Sequence, residues 1–319
     1  MDKPLSYSAY RDYHVCPHYY KLKRVDKQPS GKDTSALAVG TILDEAVGAL
    51  LTGEEYDIDK AITTASMRDL GFYLDDFDAD LINMDELMVL AKELGWKGDD
   101  LEGAIKSFLK EQDNLSTKQQ ELIQLAVWGC LRVKIHAMYD SFVKWIYPQI
   151  DKVHDIQTHL DNGAIHGYLD FTATLKDGRK VLFDLKTSKM PYATDAVKHS
   201  AQLCLYAAMH DYEYAGYIVL SKTLRKNKHK TCECGYETSG GNRKKCPDCG
   251  SQLSVTMNPA SYSQILVEPV PKWSKDLTIK AMTDTIKCID DKCFPRNLTA
   301  CKWMFGKPCP YIDKCWRNK

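Results

Sequence analysis

The chain has 319 residues, enough to bury a large core as one domain with insertions or as two. Its 43 basic and 43 acidic residues cancel, which excludes a uniformly basic nucleic-acid coat but leaves room for a local basic groove. No run of about 18 apolar residues marks a membrane span, and the opening MDKPLSYSAYRDYHVCPHYY lacks the apolar core of a signal peptide, so the expectation is a cytosolic protein without a membrane partner.

Taken in order, residues 1–53 hold a Tyr-, Lys- and Arg-rich opening with Cys16, then a helical pattern over Ala36–Leu51 that carries Asp44 and Glu45. Residues 54–150 read as a helical insertion with an acidic first part. In its last helix Ser116 and Gln119 fit a capping box. Trp128, Leu131, Ile135, Met138, Phe142 and Trp145 then step by three and four, the stripe of a buried face. The pattern turns to strands in 151–222. His154–Leu160 is one strand, and Ile165–Leu175 and Val181–Lys186 form a hairpin across Asp177-Gly178, a pair suited to tight reversal. Ala196–His210 reads as an amphipathic helix and Tyr214–Ser221 as a strand. Residues 223–260 form a cysteine-bearing insertion. Residues 261–319 complete the core with a strand over Ser263–Val270, a helix over Trp273–Cys288 and a Cys-rich tail.

The chemistry concentrates on the hairpin. Asp170 lies on its first strand, and Asp184 and Lys186 lie two apart on its second, hence on one face. Hard divalent ions such as magnesium or manganese take carboxylate oxygens, here Asp170 and Asp184, with the Leu185 carbonyl as a further ligand. Such ions activate water and neutralise charge on a phosphodiester. Lys186 then points into the same site. Gln202 and Tyr206, four apart, share a helix face from which to brace it or touch nucleic acid. An Asp-x-Lys on a strand is common by itself and often marks an exposed face.

The ordered set is more specific. Gly-x-x-Asp at 167–170, Asp-x-Lys fourteen residues later and Gln-x-x-x-Tyr at 202–206 resemble the RecB-like branch of the PD-(D/E)XK nuclease superfamily. SYSAYRDYHVCPHYYKLKRV at 6–25 and GTILDEAV at 40–47 resemble that family's opening and first helix motif. There a histidine ligand is usual, and Asp44 holds its position here, with Glu45 beside it as the other candidate. The resemblance implies an α/β fold, a restriction-endonuclease-like mixed sheet flanked by helices, and metal-dependent DNA hydrolysis. The implied activity is that of an exonuclease on DNA ends in recombination, repair or phage DNA metabolism, with DNA and a helicase or recombination protein as partners. The atypical Asp44 keeps open a catalytically weak or inactive nuclease fold serving as a DNA-binding or scaffolding subunit. A zinc-ribbon adaptor binding protein or RNA is the third reading.

Twelve cysteines in a reducing compartment point to metal ligands rather than disulfides. Cys232-Glu-Cys234 and Cys246-Pro-Asp-Cys249, eleven residues apart, are two knuckles that offer four thiolates to a structural zinc. Lys222, Arg225, Lys226, Lys228 and Lys230 precede this ribbon, and Arg243, Lys244 and Lys245 lie within it, a basic flank suited to phosphates. In the tail, Cys301, Cys309 and Cys315 are spaced by seven and five residues. With Cys16 they resemble the iron-sulfur clasp of RecB-like nucleases such as AddB and the CRISPR-adaptation nucleases, whose four cysteines hold a 4Fe-4S cluster. The first gap is wider than the family's. Cys288 and Cys293 lie near enough to enter the ligand set, and a second zinc or plain thiols are the alternatives. Cys130 and Cys204 sit on apolar helix faces and read as core residues.

Overall fold

The computed structural model describes residues 4–29, 33–111, 115–239, 244–303 and 308–317. A mixed sheet organises it. Strands β1 (Leu5–Ser6), β3 (Ile165–Leu175), β4 (Lys180–Ser188), β5 (Tyr214–Ser221) and β9 (Ser263–Pro269) follow in that order, and β2 (Ile150–Asp161) pairs with β3 as well. The hairpin turn falls at Asp177-Gly178, where Gly178 has φ +87°, a left-handed geometry that glycine adopts without steric cost. Strands β4 and β5 run parallel, so a crossover is required, and α8 (Ala201–Met209) supplies it.

Each face of the sheet carries its own core. On one, Phe171, Phe183, Ile218 and Leu220 meet α3 (Ser35–Thr52) and α7 (Thr117–Ser141). On the other, Leu182, Tyr217 and Val219 meet α1 (Tyr7–Val15), α8 and α9 (Lys272–Asp290). The short helices α2 (Pro17–Tyr20), α4 (Ile58–Ser66), α5 (Met84–Glu93) and α6 (Leu101–Lys110) complete the N-terminal half. Ile62, Leu87 and Ile105 of α4, α5 and α6 join the same apolar cluster as α7, so segment 54–150 shares its core with the sheet. By length and composition α3 could cross a membrane, yet Val39, Ile42, Leu43 and Val47 are buried in that core.

The capping box at Ser116 and Gln119 is present. Trp128, Leu131, Ile135, Met138 and Phe142 are buried as the stripe requires, but Trp145 is 57% exposed. The reason is local. Phe142–Ile146 forms a widened π turn with i→i+5 bonding, which moves Trp145 off the stripe and places Ile146 in the core. The helix expected over Ala196–His210 begins only at Ala201. Ser200 Oγ accepts from the Leu203 N–H at 3.1 Å, an N-cap, and the residues before it close three-residue turns such as Lys198 N–H to Asp195 O. Cys130 and Cys204 are buried core residues.

A second, three-stranded sheet is formed by β6 (Arg225–Thr231), β7 (Glu237–Ser239) and β8 (Ser254–Ala260) in the order β7-β6-β8. The tail contributes α10 (Ala300–Trp303) and α11 (Ile312–Arg317).

Candidate active site

The sheet leaves a notch where the carboxylates lie. β2 covers one edge of β3 from Ile150↔Leu175 to Asp161↔His166. On the other edge β1 pairs only with Ile165 and His166, and β4 only with Phe171 to Thr174. Residues 167–170 therefore have no strand partner on that edge. Asp170 turns into the opening, and its Oδ2 accepts from the Leu185 N–H at 2.6 Å. Asp184 is 2% exposed. Its Oδ1 accepts from Gln202 Nε2 at 2.7 Å, and its Oδ2 lies 2.5 Å from Lys186 Nζ. Oδ2 is fully buried, and the Lys186 ammonium is the group that faces it.

Burial raises the pKa of all three carboxyls. For Asp170 the effect is large, and the charges of Asp184 and Asp44 add to it. For Asp44 burial is followed by the Asp184 charge. For Asp184 burial prevails over the favourable pull of Lys186. Lys186 is itself desolvated, but Asp184 more than compensates and holds the ammonium charged. Three half-buried to buried acids thus face one fixed cation, an arrangement short of positive charge.

Asp44 comes to the site from α3, whereas Glu45 accepts from the Tyr56 hydroxyl at 2.6 Å on the exposed side. Tyr206 lies one helical turn beyond Gln202 and is pushed up to about 12 by burial. Its ring explains Gly167: a Cβ there would sit 2.5 Å from the Tyr206 ring. The spacing displays Gly167 plainly, but only the packing gives its reason. Sequence reasoning missed three tyrosines. The charges of Lys186 and Asp184 reach Tyr7, Tyr192 and Tyr217, and the Tyr217 hydroxyl is 2.6 Å from Ser200 Oγ. Tyr7 lies within the Ser-x-Ser opening, the one local signal for it.

In the ribbon, Cys232 and Cys249 sulfurs are 3.4 Å apart and Cys234 and Cys246 sulfurs 3.5 Å. All four lie within 4.8 Å of one another. A tetrahedron with ~2.3 Å metal–sulfur bonds has edges of about 3.8 Å, so the set fits one thiophilic ion. Hydrogen bonds from Ser251 pull the Cys249 thiol down to about 6, toward the thiolate that binds metal. Among the described residues no other group of His, Cys, Asp or Glu ligand atoms converges that tightly.

The basic flank is less open than its sequence implies. Lys230 is 4% exposed, Lys222 is half-buried and desolvated beside Lys134 and Lys189, and Arg225 lies over Tyr262. Lys244 and Lys245 are exposed. The side chains of Lys226 and Lys228, and Arg243 altogether, lie outside the described residues.

Cys16, Cys301, Cys309 and Cys315 are all buried where the chain ends meet. The Cys309 N–H donates to Cys301 O at 2.8 Å, the Asn297 N–H to Cys16 Sγ at 3.4 Å and the Tyr311 hydroxyl to Gln28 O at 2.8 Å. Burial, then the nearby Cys301, Cys16 and Cys315, push the Cys309 thiol up. Cys288 and Cys293 gather instead around the Tyr13 hydroxyl.

A family model described as the PD-(D/E)XK nuclease superfamily matches residues 4–315. A crystal structure of SSO0001 aligns at 16% sequence identity over 74% of this chain and 98% of its own, with a TM-score of 0.27, an overlap too loose to carry an argument. No curated protein matches.

Proposed function

The chain belongs to the PD-(D/E)XK nuclease superfamily, and on that premise we propose that it is a divalent-metal-dependent deoxyribonuclease of the RecB-like branch. Its substrate is DNA and its action that of an exonuclease on ends, in recombination, repair or phage DNA metabolism, beside a helicase or recombination partner in the cytosol. The observation that carries this reading is the meeting of Asp44, Asp170 and Asp184 at the notch beside the single cation of Lys186, three acids whose pKa values burial raises. Such a set fits a hard cation.

Asp170, Asp184 and Asp44 would hold magnesium or manganese, with the Leu185 carbonyl as a further oxygen. When bound, the ion supplies charge neutralisation and lowers the pKa of water. Lys186 holds its proton on Nζ and presents a fixed positive charge where negative charge develops on the phosphoryl oxygens. Gln202 orients Asp184 through Oδ1, and Tyr206 fixes the neighbouring strand by filling the space above Gly167.

Two further groups complete the proposal. Cys232, Cys234, Cys246 and Cys249 hold a structural zinc, supported by the mutual approach of their sulfurs. Cys16, Cys301, Cys309 and Cys315 hold a 4Fe-4S cluster that pins the chain ends. The burial of all four and the reach of the Cys301, Cys16 and Cys315 charges to Cys309 support that reading.

The test is incubation of anaerobically purified protein with end-labelled linear and closed circular DNA, with magnesium, with manganese and with EDTA, alongside Asp184→Asn and Lys186→Ala. Metal-dependent loss of linear DNA alone, absent in both variants, is the expected result. Loss of circular DNA as well makes it an endonuclease. Binding without cleavage under either metal moves the reading to a scaffolding subunit.

A further inference from the structure

The notch beside Asp170 continues into a surface with no assigned use. The β2–β3 register sets Ile156 opposite Phe171 and Thr158 opposite Leu169, so Gln157 falls opposite Asp170. Gln157 has φ +47°, a left-handed conformation that is uncommon outside glycine. The strand pair turns its faces over at this point. Ile156 and Phe171 pack into the α3 core, whereas Leu160 and Leu169 pack into the α8 core. Past the turn, the side chains facing away from Leu169 lie on the α3 side. A Cβ on Gly48 of α3, one turn beyond Asp44, would stand 3.7 Å from both Gln157 Nε2 and Ile156 Cγ2, so α3 lies against the strand at this turn.

Three aromatic rings occupy this outward face. His159 and Tyr168 pair across the strands with ring centroids 4.9 Å apart, and His159 and His166 are 5.8 Å apart. Tyr168 is 62% exposed and His159 is exposed. The acid on the same run of β2, Asp161, is turned back on its own loop, where it accepts from the Gly163 N–H at 2.7 Å. Tyr168 stands two residues before Asp170, roughly 7 Å along the strand.

We infer that His159, Tyr168 and His166 form a stacking platform for the unpaired bases of a single DNA strand whose backbone enters the site at Asp170. The inference rests on the nuclease reading of that site. Flat rings offer every base a face without reading its sequence. Duplex DNA does not fit the platform, because its bases already stack on each other. The position of Tyr168 two residues before Asp170 on β3 selects nucleic acid over a peptide strand on the β2 edge.

The experiment measures binding of a labelled single-stranded oligonucleotide by fluorescence anisotropy. Every protein carries Asp184→Asn so that the strand stays whole, and no chelator is present. Tyr168→Ala is expected to weaken binding roughly five- to a hundred-fold, while Tyr168→Trp keeps the affinity. An oligonucleotide with abasic sites in place of its bases should be bound equally with and without Tyr168. Equal affinity of Tyr168→Ala for the intact strand overturns the platform, as does an equal loss on the abasic strand. Cleavage is read separately in the protein with native Asp184. A chain that cuts DNA yet ignores Tyr168→Ala refutes only the platform. A chain that never cuts, but loses the intact strand in Tyr168→Ala, refutes only the nuclease.

Discussion

The carboxylate site and the cysteine ribbon are both candidate metal centres, built by opposite means. The carboxylates arrive from α3, β3 and β4 and are held by two apolar cores, one on each face of the sheet. The positions are set by packing, and the acids are forced together at an electrostatic cost. The ribbon brings four thiols together within eighteen residues, from Cys232 to Cys249, and among the described side chains of residues 232–254 only Cys246 and Leu253 are buried and apolar. One site should outlast its metal as a folded scaffold; the other should depend on its metal to fold.

The largest effect expected on activity is at Asp184. Asp184→Asn should lower the cleavage rate by at least about a thousand-fold and leave the melting temperature equal or higher, since a buried charge is removed. Rate assays and thermal melts check both halves; a variant that unfolds would mean the carboxylate is structural. The largest effect on folding is in the ribbon. Cys246→Ser should release the zinc, worth on the order of 10 kcal/mol of binding free energy in small zinc modules. Protease sites should open within residues 223–260 while the sheet domain melts nearly as before. Metal analysis with limited proteolysis decides it, and a collapse of the whole chain would show that the ribbon is not independent.

A smaller effect is predicted at Gly167. Its Ala variant must displace the Tyr206 ring or the strand, at a cost of roughly 1–3 kcal/mol. Denaturant midpoints should show the loss, and Tyr206→Leu in the same chain should restore part of it. The smallest effect is a drift with pH. Because Asp44, Asp170 and Asp184 have raised native pKa values, the folded state binds more protons than the unfolded one above the ordinary carboxyl range. Stability of the metal-free protein should therefore fall as pH rises from about 4 through those native values. Added magnesium should flatten the curve. Melts at a series of pH values test this, and a rise in stability over that window would contradict it.

Much of the site was legible because its residues obey short rules. Asp184 and Lys186 share a strand face by period two, Gln202 and Tyr206 share a helix face by a step of four, and the Cys knuckles announce themselves by spacing. The hairpin followed from Asp177-Gly178, and the capping box from Ser116 and Gln119. Other features obey no local rule. Trp145 continues the apolar stripe on paper, and a single π turn carries it into solvent. Lys230 looks like part of a solvated basic run and is buried. Asp44 and Glu45 are adjacent and chemically alike, and only the packing of α3 decides that one faces Asp170 and the other Tyr56.

What the sequence by itself determined is therefore the hairpin, the capped long helix and the nuclease superfamily, since each rests on local spacing and motif. The tertiary structure alone decided the notch in β3, the fit of Gly167 under Tyr206 and the turn of faces at Gln157 and Asp170. Those depend on which strand pairs where and how two cores load opposite faces of one sheet. Such long-range contacts leave no periodic trace along the chain.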